Sequence, residues 1–247
     1  MFPIAAPASF RIIAHRGASG YAPENTAAAF DLARQMGAVE IETDTQLTTD
    51  RAVVLCHDYN LDRFGHADRV VENSSSQELT NLDLGSWFSP HLYSGATMMT
   101  LPELFERYGD AFTYHVELKG RAEKLPDQVL DVVDGCGMAD RTILTSFDYQ
   151  HLARARQLDA GCRLGWLVDE VDGEVRDRAK EIGVTQLCPR AAAVSDEMVE
   201  QCKYIVEEVR AWGLSGSPAQ VADLCHHILA AGCDGATINW PDWLSHT

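Results

Sequence analysis

The chain has 247 residues, 46% hydrophobic and 23% charged, the balance of one large globular α/β domain or two small ones. Its formal charge of −17 and its pI near 4.8 argue against non-specific nucleic-acid binding and against docking on anionic lipid. Any anionic substrate therefore needs a locally positive site. Seven cysteines (positions 56, 136, 162, 188, 202, 225 and 233) have no CxxC spacing and mostly apolar neighbours. They read as reduced thiols rather than a disulfide frame or a zinc site. The opening "MFPIAAPASFRII" has no basic segment and no long apolar core, and no stretch nears the ~18 apolar residues of a membrane span. The expectation is a cytoplasmic protein without stable membrane insertion.

In chain order, residues 10–15 (FRIIAH) read as a strand, 24–36 as a helix, 39–46 as a strand and 52–56 as its extended continuation. Helical spacing then marks 101–108, 124–136, 149–158, 172–182, 195–203 and 218–231. Strands fall between them at 113–118, 142–145, 163–168, 185–188, 206–212 and 235–239. Strands and helices alternating over this length predict an α/β fold, a TIM (β/α)8 barrel. A doubly wound open sheet is the alternative, but no glycine-rich phosphate loop of the GxGxxG or GxxxxGK[ST] kind is present. With no repeat and no linker, residues 1–247 form one domain. Residues 58–100 break the alternation and are expected to be an insertion after the second strand.

Chemistry concentrates at the predicted strand ends. In "IIAHRGASGYAPENT", His15 titrates near neutral pH beside Arg16, a permanent cation able to fork onto an oxyanion. A solvated strand–helix joint would read the same way. In "VEIETDTQ" alternation puts Glu40, Glu42 and Asp44 on one face, with Val39, Ile41 and Thr43 on the other. Carboxylates that close on a buried face repel each other and resist desolvation, which a divalent cation would relieve; a solvated edge would need none. "YHVELKG" places His115, Glu117 and Lys119 on one face, as a third carboxylate and a cation or as a structural Glu–Lys pair. His57 follows in "VVLCHDYNLDR". In a barrel all these ends open on the C-terminal face. Three hard oxygen ligands without a cysteine cluster suit Mg²⁺ or Ca²⁺ better than zinc. Two histidines beside such an ion and two cations suit acid–base attack on a phosphoester.

The segments "AHRGASGYAPENTAAAF", "EIETDTQLTTDRAVVLCHDYNLDR", "LDLGSWFSP", "VELKG", "SFD" and "GCDGATINWP" resemble, in order and across nearly the whole chain, the glycerophosphodiester phosphodiesterase family of the bacterial cytosolic type. The resemblance implies a TIM barrel with a small insertion after the second strand. It also implies divalent-metal-dependent hydrolysis of glycerophosphodiesters to sn-glycerol 3-phosphate and an alcohol. By matching positions, His15 and His57 would be the acid–base pair, Glu42, Asp44 and Glu117 the metal ligands, and Arg16 and Lys119 the phosphate clamp.

The chain departs from the family pattern at Val39, where an acid is usual, in "LDRFG" for "LxRTT", in "TINWP" for "TDxP", and in the residue after Trp212. These changes leave the catalytic positions intact and the alcohol-side pocket undefined; Trp87, Phe88 and Trp212 are its candidates. Residues 58–100 are expected to cap the mouth and contact the alcohol, unless Trp87 and Phe88 only make the insertion's own core. Alternative activities on the same barrel are a lysophospholipase D or sphingomyelinase-D-like reaction, with Trp87, Phe88, Leu92 and Tyr93 as an acyl groove, or silent binding of phosphate ligands. His66, His91, His151, His226, His227 and His246 show no comparable grouping and read as surface or packing residues.

Overall fold

The computed structural model describes residues 2–247. Eight parallel strands, β1 (Arg11–His15), β2 (Glu40–Leu47), β3 (Thr113–Leu118), β4 (Thr142–Ser146), β5 (Arg163–Val168), β6 (Gln186–Pro189), β7 (Glu208–Ala211) and β8 (Gly235–Ile238), pair in chain order. The circle closes between β8 and β1, where Ile238 faces Ala14. The helices α1 (Ala27–Gln35), α3 (Leu101–Tyr108), α4 (Leu125–Gly135), α5 (Tyr149–Leu158), α6 (Gly173–Ile182), α7 (Asp196–Cys202) and α8 (Pro218–Ala230) follow the strands; α2 (Ser76–Thr80) belongs to the insertion. The expected TIM barrel is the observed fold. Local chemistry sets the helix starts: α3 opens on a capping box between Thr100 and Glu103 with a proline in its first turn.

Three features differ from the alternation pattern. β2 is buried at all eight positions, whereas Val39, just outside it, is 63% exposed. A parallel barrel strand meets helices on one face and the barrel interior on the other, so neither face is solvated. Residues 53–55 do not continue β2; Val53–Leu55 turns back antiparallel along its end, Leu55 opposite Thr45. That return delivers His57 to the mouth, because the Cys56 amide donates to the Asp44 carbonyl at 3.0 Å. Finally, no helix follows β8. The chain makes a short turn at Pro241–Trp243, and Leu244–His246 then pairs in parallel with Ile4–Ala6.

The insertion carries a hairpin (Asn60–Leu61 with His66–Val70) and α2, around a small core of its own that includes Leu61, Phe64, Val71, Leu79 and Met98. The barrel's N-terminal end is closed by a polar layer. Arg11 bridges Glu40 at 2.6 Å and Glu208 at 2.5 Å. His115 donates to the other oxygen of Glu40 at 2.8 Å, and Gln186 to the other oxygen of Glu208 at 2.6 Å. Among the described residues no helix is long and apolar enough to cross a membrane.

Burial alone would raise the Glu40 carboxyl, but His115 and Arg11 outweigh it and hold Glu40 at about 2, below its ordinary 4.5. The stabilisation from this carboxylate is complete above pH ~4.5 and fades as pH falls towards 2. Glu40→Gln is expected to cost about 2 kcal/mol at pH 7, the loss of hydrogen bonds to a charged acceptor. Its Tm deficit against the parent should shrink between pH 5 and about 2, which a calorimetric pH series checks; a deficit constant with pH would contradict the assignment.

Candidate active site

The first strand ends in a turn built for close approach. His15 closes β1, Arg16 takes the left-handed region at φ 55°, and Gly17 follows at φ 79°. A Cβ on Gly17 would lie 2.6 Å from the Ala29 backbone carbon, so only glycine lets α1 pack here. The turn aims the Arg16 amide at Glu42 Oε2 (3.1 Å) and carries its guanidinium to Asp44 (2.9 Å) and Glu24 (2.9 Å). The following "PENT" segment does more than start a helix. Asn25 donates to Asp44 Oδ2 at 2.9 Å while its own oxygen accepts from Thr43 Oγ1 at 2.8 Å.

Strand register brings the acids together, since Asp44 lies opposite Glu117 on the neighbouring strand. Glu42, Asp44 and Glu117 each offer an oxygen, all within 4.8 Å of one another, and all three residues are buried. Burial and the negative charges of Asp44 and Glu117 push Glu42 well up. Burial and Asp44 push Glu117 up, against the pull of Lys119, whose Nζ lies 3.0 Å from Glu117 Oε1. Burial would raise Asp44 too, but Arg16, helped by His57 and Lys119, holds it at about 2. Glu42 Oε1 and Asp44 Oδ1 are buried and accept no hydrogen bond. Buried carboxylate oxygens seldom go unpartnered. Three clustered hard anionic ligands with unclaimed oxygens fit a divalent cation.

The two histidines flank this cluster. His15 Nδ1–H donates to Asn239 Oδ1 at 2.6 Å, which leaves Nε2 free, 3.7 Å from Glu42 Oε2. Burial and the neighbouring Arg16 cation push the His15 ring down to about 3. His57 Nδ1–H donates to Asp58 Oδ1 at 2.7 Å, so its Nε2 is also free. Although burial would raise Asp58, hydrogen bonds from Arg63 and His57 keep it below its usual range.

A cavity of about 270 Å³ joins these groups. Its lining carries His15, Arg16, Glu42, His57, Glu117 and Lys119, together with the apolar Phe147, Leu167, Trp212 and Leu214 and with Arg210 and Thr237. Arg210 is 2% exposed and donates through one terminal nitrogen to Thr237 Oγ1, while its Nε and other terminal nitrogen have no partner. A second cleft of about 380 Å³ opens beside His57 and Lys119, edged by Gln46, Asp58, Tyr59, Asn60 and Arg121.

The structure thus brings together His15, His57, Arg16, Lys119, Glu42, Asp44 and Glu117, and Trp212 lines the same cavity. Trp87 and Phe88 line neither cleft. They sit inside the insertion, edge-on to Phe64 at 5.4 Å and to Tyr93 at 5.7 Å respectively. Sequence reasoning passed over Glu24, Asn25, Asp58, Arg63, Arg210, Thr237 and Asn239. For Arg210 a signal existed: in "EEVRAWG" it shares a strand face with Trp212, and a charged residue on an inward-facing strand position is rarely idle.

Residues 15–243 match the sequence profile of the Glycerophosphoryl diester phosphodiesterase family. The YhdW protein of Bacillus subtilis is 41% identical over 149 residues, a stretch covering 60% of this chain and 61% of the relative. A glycerophosphodiester phosphodiesterase of Caldanaerobacter subterraneus is 30% identical over 94% of this chain and 95% of its own. Among solved structures, a phosphodiesterase from Oleispira antarctica in complex with the product sn-glycerol-3-phosphate superposes with a TM-score of 0.84 at 27% identity, covering 94% of both chains. With the profile matched from His15 at the end of β1 to Trp243 beyond β8, the chain belongs to the glycerophosphoryl diester phosphodiesterase family.

Proposed function

We propose that the mouth cavity hydrolyses glycerophosphodiesters to sn-glycerol 3-phosphate and an alcohol, with His15 and His57 as the proton-transfer pair. One observation carries this reading: two histidines with free Nε2 atoms line one cavity beside three clustered carboxylates. The product held by the Oleispira antarctica relative supports it.

Glu42, Asp44 and Glu117 would hold the divalent cation, Mg²⁺ or Ca²⁺ by ligand hardness, and once bound it would polarise a phosphoryl oxygen and offset developing negative charge. The protein's own groups do the rest. Arg16, Lys119 and Arg210 line the cavity as cations for the phosphate, and Arg210 brings a buried Nε and a buried terminal nitrogen that have no partner. His15, kept neutral by burial and by Arg16, accepts a proton at Nε2 from the water that attacks the phosphorus. His57, oriented by Asp58, delivers a proton from Nε2 to the departing alkoxide. The insertion (58–100) serves the alcohol side through Asp58, Tyr59 and Asn60 in the second cleft, rather than through Trp87 and Phe88. Seven unpaired cysteines support a reducing, cytoplasmic setting.

Glu117→Gln is expected to weaken Mg²⁺ and Ca²⁺ binding in calorimetric titration, and a chelator should lower both turnover and the parent's Tm through lost linkage. Undiminished affinity would remove Glu117 from the ligand set.

His15→Ala and His57→Ala are each expected to lose ~10²–10⁴-fold in kcat with Tm unchanged. Near-native turnover in either variant assigns that histidine a structural role.

Tyr59→Ala and Asn60→Ala should reorder turnover among glycerophosphocholine, glycerophosphoethanolamine and a lysophospholipid at unaltered Tm. Trp87→Ala should lower Tm and leave the ranking as it was; the reverse pattern would return the alcohol to Trp87.

A further inference from the structure

The cavity and its histidines say nothing about why a segment remote from the phosphate should carry a buried-edge arginine between two aromatic rings. We propose that Arg63 is a positioning residue that fixes His57 and Arg16 at once, and that this is the insertion's contribution to the chemical step. The proposal rests on the assignment of His57 and Arg16 above.

Arg63 lines neither cleft. Each of its three guanidinium nitrogens donates to one of two carboxylates. Nε donates to Asp58 Oδ2 at 2.7 Å, and the two terminal nitrogens donate to Glu24 Oε2 at 3.1 Å and Oε1 at 2.8 Å. Each carboxylate then holds one active-site group. Asp58 takes the His57 Nδ1–H through its other oxygen, at 2.7 Å, and Glu24 Oε1 takes an Arg16 terminal nitrogen at 2.9 Å. The result is one continuous relay, His57–Asp58–Arg63–Glu24–Arg16, with Arg63 at its centre.

The fork itself sits in the corner between two aromatic rings. Its central carbon lies 4.4 Å from the Phe64 ring centre and 4.6 Å from that of Trp87, which stand edge-to-face and are anchored by Trp87 Nε1 donating to the Leu84 carbonyl at 2.9 Å. Trp87 therefore acts on the guanidinium and not on the substrate. Electrostatics point the same way. Without the cation, Asp58 and Glu24 would confront each other as like charges, and each would be free to leave its active-site partner. Lysine cannot replace the fork, because a point charge on a flexible stem cannot meet three oxygens in fixed directions.

The test uses the metal-loaded full chain, with the parent, His57→Ala, Arg63→Met, Arg63→Lys, Asp58→Asn and the Arg63→Met/Asp58→Asn double variant. Arg63→Met is expected to lose ~10–10²-fold in kcat on glycerophosphocholine, the scale of a misplaced catalytic group, while metal affinity by calorimetry stays at the parent value. Arg63→Lys should recover only part of that loss. Loss from the double variant should fall short of the product of the single losses, since both act through one bond to His57. In ¹H and ¹⁵N spectra of the histidine side chains, the Nδ1–H of His57 should lose its hydrogen bond to Asp58 in Arg63→Met. An unchanged Nδ1–H bond at His57 together with near-native kcat overturns the proposal, as does a Tm loss with full kcat in the folded fraction. If Arg63→Met proves unfolded, the same readouts on Arg63→Lys decide. Should His57→Ala itself retain turnover, the fault lies in the catalytic assignment; should it lose turnover while Arg63→Met keeps it, the fault lies here.

Discussion

Like charge packed against like charge governs the mouth of this barrel. Three carboxylates within 4.8 Å of one another could not stay buried without compensation, and the surrounding chain is arranged to supply it. Arg16 reaches Asp44, Lys119 reaches Glu117, and the Arg16 amide reaches Glu42, which also lies in the field of Arg210. The cost of a left-handed Arg16, of order 1–3 kcal/mol, makes sense in this setting. Only from that backbone angle do its amide and its side chain address two different carboxylates.

The two ends of the barrel solve the same electrostatic problem differently. At the N-terminal end Arg11 bridges Glu40 and Glu208, and His115 and Gln186 take the remaining oxygens, so that all four carboxylate oxygens have a donor. At the C-terminal end Glu42 Oε1 and Asp44 Oδ1 have none. In the lower layer every carboxylate oxygen is claimed. The upper one is left open, and that incompleteness separates a binding site from a polar core.

Much of this was legible in the sequence, and the limits have physical causes. Helices showed through because their apolar spacing is a local property: Leu101–Tyr108 and Tyr149–Leu158 fall where the pattern placed them. The acids on β2 and β3 were legible because strand ends in a barrel share one mouth. Val53–Leu55 was misread because a short apolar run does not reveal which way it runs along its neighbour. Asn239 and Arg63 escaped for a different reason. Each gains its meaning from a partner brought near only by barrel closure or by the insertion's folding, and spacing along the chain carries no trace of such a contact. The aromatics at 87 and 88 were visible as unusual, but whether they face a ligand, a core or a cation depends on how the insertion folds.

The seam between β8 and β1 has a consequence for how the molecule comes into being. The bond that sets the His15 tautomer spans 224 residues to Asn239. Residue 15 leaves the ribosome well before residue 239, and it lacks its orienting partner until β8 is synthesised and docked. The orientation of the His15 ring is therefore a property of the closed ring of strands and not of any nascent fragment. Closing so distant a pair also demands a large loop entropy before any contact repays it, which places barrel closure among the slow steps of folding. During synthesis the chain passes through a long interval in which the acids and cations of the first three strands exist without the seam bond that orients His15.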